Sequence, residues 1–212
     1  MGYLKEERDP LWWPNSGSFE VVVGTILTQQ TKWQKVERAL EQLRAADLMT
    51  PEGIAEAPVR TLAQLIKPSG FYNTKAKRLQ ELCRDLLEMY GGFERFVEEV
   101  DREWLLQRRG LGPESADSIL CYACAREVMV VDSYTTRLLE AFGYRFESYD
   151  MVQEWLQEGI ASNLEPIEAL YGKRMTLQQI YARFHGKIVE FAKEHIRGAN
   201  VRCDALKEAI ES

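Results

Sequence analysis

The stretch from Leu105 to Asp132 reads LLQRRGLGPESADSILCYACAREVMVVD and holds the residues best placed to do chemistry. Gly110-Leu111-Gly112 joins a short apolar helix to a second helix opened by Pro113. Glycines on both sides of one apolar residue reach conformations closed to other residues and let another backbone approach. The first N–H groups of the second helix, as far as Ser115, have no partner inside the helix. With the helix dipole they form a site for one phosphate, made by backbone and needing little positive charge. Asp132 begins a further helix. A carboxylate there caps the helix; against a developing cation it also stabilises charge and orients or deprotonates an attacking water. Trp12, Trp13 and Trp33 offer electron-rich faces, which attract a cationic ring by roughly 0.5–2 kcal/mol beyond stacking. Each pattern has a plain structural use as well: helical hairpins turn on Gly-x-Gly, Asp caps helices and Trp fills cores.

The elements that must position these residues are helices. Periodicity of three and four residues runs almost throughout, so the expected class is all-α. FEVVVGTIL, from Phe19 to Leu27, is apolar nearly all round and predicts a helix buried on most sides, with Ser18 as its cap and Glu20 in its first turn. Trp33, Val36, Leu40 and Leu43 form the stripe of a second helix. Thr50-Pro51-Glu52 is a cap with proline at the first helical position. Leu79, Leu82, Cys83, Leu86, Leu87 and Tyr90 mark a long helix closed by Gly91-Gly92. Short helices follow around Trp104–Leu106 and from Pro113 to Ala123; Asp132 or Ser133 caps another that ends at Gly143. The last long helix carries Leu177, Ile180, Tyr181, Phe184, Ile188, Phe191, Ala192 and His195. Only VMVV at 128–131 is strand-like, and it is too short to build a sheet.

The chain has 212 residues with 27 basic and 33 acidic side chains, a net charge of −6. That excludes holding nucleic acid by bulk positive charge, though a local basic face remains open. Residues 60–84 supply one: Arg60, Lys67, Lys75, Lys77, Arg78 and Arg84 stand against Glu81 and no Asp. Four cysteines, Cys83, Cys121, Cys124 and Cys203, do not make a disulfide framework at this size. No run approaches the roughly 18 apolar residues of a membrane span. A soluble, acidic, cytoplasmic protein is expected.

Taken in order, Gly110-Leu111-Gly112, Ser115-Ala116-Asp117, an apolar helix and Val130-Val131-Asp132-Ser133-Tyr134-Thr135-Thr136-Arg137 resemble a signature of DNA glycosylases related to endonuclease III, the HhH-GPD superfamily. Its pattern is close to Leu-Pro-Gly-Val-Gly-x-Lys-Thr-Ala followed by Val-Asp-Thr-His-Val-x-Arg. Leu27-Thr28-Gln29-Gln30-Thr31, Gly70-Phe71-Tyr72-Asn73-Thr74-Lys75-Ala76 and Phe184-His185-Gly186-Lys187 are similar to three further motifs of that family in the same order. Leu11-Trp12-Trp13-Pro14-Asn15 and Lys32-Trp33 resemble a narrower group, the 3-methyladenine DNA glycosylases of endonuclease III-like type.

The resemblance implies two helical lobes with an active-site cleft between them. One lobe spans 19–131, with the helix-hairpin-helix at about 103–124; residues 1–18 and 132–212 form the other. It implies Asp132 as the catalytic carboxylate and a base pocket of Trp13, Pro14 and Trp33. Gly110, Leu111, Gly112, Ser115, Gln30, Phe71 and Lys75 are the expected DNA contacts, with Gln30 and Phe71 entering the duplex. The carbonyls of Leu106, Arg108 and Leu111 match positions where relatives hold a monovalent cation. Glu114 stands where bifunctional relatives carry a nucleophilic lysine, and a carboxylate cannot form their imine. Glu190 stands at the first cysteine position of the family's iron–sulfur cluster, and Cys203 stands alone beyond it, so no cluster and no required cofactor are expected. Lys187 and His185 lie on opposite flanks of the final helix's stripe, their roles open. The implied activity is monofunctional excision of alkylated purines from damaged duplex DNA, by a monomer acting at the nucleoid. Excision of a mispaired base, or a non-catalytic hairpin module that only holds DNA, are the alternatives.

Overall fold

The computed structural model describes residues 11–197 and 200–202. Among them the chain is all-α, apart from a two-residue antiparallel ladder. It divides into two compact units.

The first unit, Asn15–Ala125, contains α1 (Phe19–Thr28), α2 (Trp33–Ala45), α3 (Pro51–Glu56), α4 (Val59–Leu65), α5 (Tyr72–Tyr90), α6 (Phe93–Glu99), α7 (Arg102–Leu106) and α8 (Pro113–Ser118). Helix α1 is buried on every side, as its sequence requires: Val21, Val22, Val23 and Leu27 have no exposed surface. Each such side chain contributes about 1.5–3 kcal/mol by leaving water. Its first-turn Glu20 is buried too, and is satisfied by Arg44 Nη1 at 2.5 Å and Asn15 Nδ2 at 2.7 Å. Helix α5 packs its apolar face on α3 and α4 and stops at Gly91, whose φ of +74° lets its N–H bond the Leu87 carbonyl at 2.9 Å.

The hairpin is pinned at both ends. Asp101 caps α7 by accepting the Trp104 N–H at 2.7 Å. Arg102 then grips the fully buried Asp117 of α8 through two bonds, Nε to Oδ1 at 2.8 Å and Nη2 to Oδ2 at 3.2 Å. This bidentate pair fixes the angle of the two helices. Helix α8 runs on as a π-helical turn, Ile119–Ala123, and the Gly17 N–H bonds the Tyr122 carbonyl there at 2.7 Å.

The second unit joins residues 11–14 to the chain from Arg126 onward. It holds α9 (Ser133–Ala141), α10 (Tyr149–Ala161), α11 (Leu164–Tyr171) and α12 (Leu177–His195), with β1 (Ile196–Arg197) paired to β2 (Asn200–Val201). Its core gathers Met129, Val131, Val152, Leu156, Ile160, Ile180, Tyr181 and Ile188. A capping box of Thr176 and Gln179 starts α12. Sequence periodicity did not locate α10 or α11, although Ser148 caps α10 by accepting the Met151 N–H, and Val152, Leu156 and Ile160 follow at four-residue steps.

The break between units falls at 15 and 125, not at the expected 19 and 131, for two local reasons. The bond from Gly17 to Tyr122 ties 15–18 to the first unit. Residues 128–131 form no ladder; α10 side chains satisfy their peptide groups instead, through Gln157 on the Met129 N–H, Gln153 on its carbonyl and Tyr149 on the Val131 N–H.

Candidate active site

Asp132 is the N-cap of α9, in extended conformation at φ −107° and ψ 177°. Its Oδ1 accepts both the N–H and the hydroxyl of the buried Thr135, each at 2.8 Å. Oδ2 faces His185 Nε2 at 3.7 Å. Capping therefore occupies one oxygen and leaves the other facing the imidazole. Burial alone would push this carboxyl up, but the charge of His185 and the two Thr135 bonds outweigh it and hold the acid below its ordinary range. The group is thus kept as an anion with little exposed surface, 12% of the side chain. A desolvated carboxylate of this kind stabilises an adjacent cation far better than one in water.

His185 is itself buried, and Trp12 lies edge-on to it, ring centroids 5.2 Å apart. Gly186 explains how the indole comes so close to a helix. A Cβ at position 186 would lie 2.4 Å from Trp12 Cγ and 2.5 Å from its Cβ. The indole Nε1–H donates to Glu190 Oε1 at 3.0 Å, and Lys193 donates to the same oxygen at 2.9 Å. Glu190, at the position of the family's first cluster cysteine, is thereby tied to Trp12 and Lys193. Trp12 is the tryptophan brought to the His185–Asp132 pair; sequence reasoning chose Trp13, which is buried with its ring edge-on to Trp12 at 6.1 Å. A glycine in mid-helix is the sequence signal of this close approach by Trp12. Pro14 is half-buried. The Lys187 ammonium lies over the Tyr171 ring at 4.3 Å, with the Arg183 guanidinium also on that ring at 5.2 Å.

In the first unit, Gly110 has φ +84°, and a Cβ there would sit 2.6 Å from Arg78 Nε. The Arg78 guanidinium lies against this glycine, so position 110 excludes side chains on two counts. Leu111 is buried, its N–H bonding the Arg108 carbonyl at 3.1 Å, while Gly112 is exposed and caps α8 without a side chain. Gln29, which sequence reasoning passed over for its neighbour, donates to the Gly110 carbonyl at 2.9 Å and the Ser115 hydroxyl at 3.2 Å. Gln30 and Phe71 are both exposed, Phe71 to 68%, and both have positive φ, 53° and 45°. Trp33, half-buried, is the first residue of α2.

Lys75 departs from expectation. It is 2% exposed, and its ammonium donates to the Leu27 carbonyl at 2.8 Å, the Thr31 hydroxyl at 2.9 Å and the Ser69 carbonyl at 2.8 Å. All three protons are used inside the protein, which removes Lys75 from the surface that meets DNA. The expected basic face is correspondingly smaller. Arg60, Lys67 and Lys77 are exposed, whereas Arg78 covers Gly110 and Arg84 Nε bonds the Ala55 carbonyl at 3.3 Å.

Glu114 is exposed in the first turn of α8. Cys83, Cys121 and Cys124 are buried thiols, and burial pushes the Cys83 thiol far up; Cys203 lies outside the described residues. Among the described residues no three His, Cys, Asp or Glu side chains converge as ligands of a metal.

A family profile described as HhH-GPD superfamily base excision DNA repair protein matches residues 23–162. A putative DNA repair glycosylase of Methanocaldococcus jannaschii, MJ1434, is 39% identical over 194 residues, covering 88% of this chain and 81% of that one. Endonuclease III of Thermotoga maritima is 28% identical over 186 residues, covering 88% and 78%. The crystal structure of H. pylori 3-methyladenine DNA glycosylase (MagIII) bound to 1,N6-ethenoadenine superposes with a TM-score of 0.85 at 47% identity, covering 89% of this chain and 91% of that one. With a profile spanning most of its length, the hairpin and the capped aspartate, the chain belongs to the HhH-GPD superfamily of base excision DNA repair proteins and is a DNA glycosylase.

Proposed function

We propose that the chain is a monofunctional glycosylase that hydrolyses the N-glycosidic bond of alkylated purines of the 3-methyladenine kind, after base flipping and without strand cleavage. The observation that carries this reading is the Asp132 carboxylate, held as an anion by Thr135 and His185 with Trp12 packed on the imidazole. The 47% identity to the H. pylori 3-methyladenine glycosylase supports the lesion class.

Rotating a nucleotide out of a duplex costs a few kcal/mol. Gly110, Gly112 and Ser115 grip the backbone through N–H groups of the hairpin turn and the first turn of α8; Leu111, whose N–H is taken by the Arg108 carbonyl, seats that turn from inside. Gln30 and Phe71 enter the stack. As the C1′–N bond breaks, its electron pair passes to the alkylated base, which leaves neutral and needs no general acid. Asp132 stabilises the oxocarbenium charge left on the sugar. Water then adds at C1′ and passes a proton to the same carboxylate. Glu114, in the position of the bifunctional enzymes' lysine, provides no amine to attack C1′, so the product is an intact strand with an abasic site.

Trp13, Pro14 and Trp33 belong to the base pocket by resemblance; Trp12 joins them through its contact with His185. A monovalent cation on the carbonyls of Leu106, Arg108 and Leu111 is likewise a family feature, and the chemistry takes no step through it. The substrate is damaged duplex DNA, met by a monomer at the nucleoid in the cytoplasm. Among the described residues no helix is long and apolar enough to cross a membrane.

The test is incubation with methylated DNA followed by chromatography of the released bases. Free 3-methyladenine is expected, with no covalent adduct trapped by borohydride. Release of a normal base from a mispaired duplex supports the mismatch reading instead. Binding without any release supports a non-catalytic module, and a trapped adduct identifies an amine nucleophile.

A further inference from the structure

Gln30 and Phe71 belong to different segments, one just after α1 and the other just before α5. Both hold left-handed backbone conformations that non-glycine residues avoid. Such strain persists only where the surroundings over-determine the backbone. What over-determines it here is one buried ammonium. Lys75 Nζ holds the last-turn Leu27 carbonyl of α1, the hydroxyl of Thr31 next to Gln30, and the carbonyl of Ser69 two residues before Phe71. The Thr31 hydroxyl also bonds that Ser69 carbonyl directly, and Ser69 is fully buried with its own hydroxyl on the Ile66 carbonyl at 2.8 Å. The two turns are therefore cross-linked through a single atom. A cation at the C-terminal end of α1 is also favoured by that helix's dipole.

We infer that Lys75 is a positioning residue that locks the turn carrying Gln30 to the turn carrying Phe71, so that the two side chains enter a duplex as one stiff device. The inference rests on the reading that these residues enter DNA. Side chains that prise open stacked bases transmit force only if their backbones cannot retreat, and each turn alone is too short to resist. Linked, each is braced by the other and by α1 and α5. Lys75 touches no nucleic acid in this role; it acts through Gln30 and Phe71.

The experiment compares Lys75→Met and Thr31→Val, the second keeping shape and burial if the first fails to fold, with the wild type and the Gln30→Ala/Phe71→Ala double variant. Two readouts are taken: the fluorescence of 2-aminopurine placed beside 3-methyladenine in a duplex, which reports unstacking, and base release from the same strand paired and unpaired. Lys75→Met should lower duplex unstacking and duplex release about tenfold, leave release from the unpaired strand near wild type, and add little to the double variant. A purely structural role for Lys75 lowers paired and unpaired release together, or adds fully to the double variant, and either result overturns the proposal. A wild type that unstacks 2-aminopurine in a Lys75-dependent way while releasing no base upholds the lock and refutes the excision chemistry.

Discussion

His185 Nε2 stands 3.7 Å from Oδ2 of Asp132, beyond a direct hydrogen bond and well within the range of charge. The imidazole therefore acts on the carboxylate by field, while Thr135 alone holds it by short bonds to the other oxygen. The division separates the oxygen that builds α9 from the oxygen that faces the imidazole.

Asp132→Asn keeps the cap, since Asn caps helices as well as Asp, and removes the charge. Single-turnover release of 3-methyladenine should fall by about 10²–10³-fold, the usual cost of losing one electrostatic stabiliser. Affinity for the methylated duplex should stay unchanged, while the urea midpoint at neutral pH should fall by the contribution of the ionised carboxylate alone. Asp132→Ala should lose the cap as well, at about 1 kcal/mol of stability.

Because His185 and Thr135 outweigh burial, the Asp132 carboxyl titrates below its ordinary value of 3.8. Release should therefore persist to a pH below that of a free carboxylate before it falls. The stability that follows from the shift has a definite sign. It is fully present above about pH 4 and is lost as pH drops through the lower folded value. Urea titrations between pH 2 and 6 should show this acid-side loss in the wild type and not in Asp132→Asn.

Gly186→Ala tests the seating of Trp12. At an open mid-helix site alanine gains up to about 1 kcal/mol over glycine. At position 186 the new methyl meets Trp12 at 2.4 Å, and overpacking of that kind costs about 1–3 kcal/mol. A net loss of stability is expected, with a shift in tryptophan emission and slower base release. A stabilised variant with unchanged emission would remove Trp12 from the site.

Burial, and after it Arg78, lower the Lys75 ammonium to about 8. Below that pH three protons meet three acceptors; above it one acceptor is lost and the lock loosens. Duplex release should therefore decline above pH 8. Folding stability should move the other way. Between about pH 8 and the ordinary lysine value of 10.5 the unfolded chain binds the extra proton, so stability rises with pH. Activity that falls while the urea midpoint holds or climbs is the expected signature. A parallel fall in both would mark simple denaturation.

What the sequence made legible was local. Gly110, Gly112 and Pro113 announce a hairpin because their requirements are met within a few residues, and Asp132 announces a cap for the same reason. Phe71 was readable as exposed because it sits in a Gly-Phe-Tyr-Asn turn. Lys75 was misassigned because its partners, Leu27, Thr31 and Ser69, come from two other segments, and its basic neighbours carry no trace of them. The contact of Trp12 with the final helix likewise depends on Gly186, far along the chain.

The backbone at Gly110 constrains that position in descent. A side chain at 110 would have to push the flexible guanidinium of Arg78 aside and would be strained at φ +84° whatever the space. Glycine at 110 should therefore persist in descent whatever residue stands at 78, and relatives that carry a β-branched side chain at 110 would mean that the hairpin turns in some other conformation.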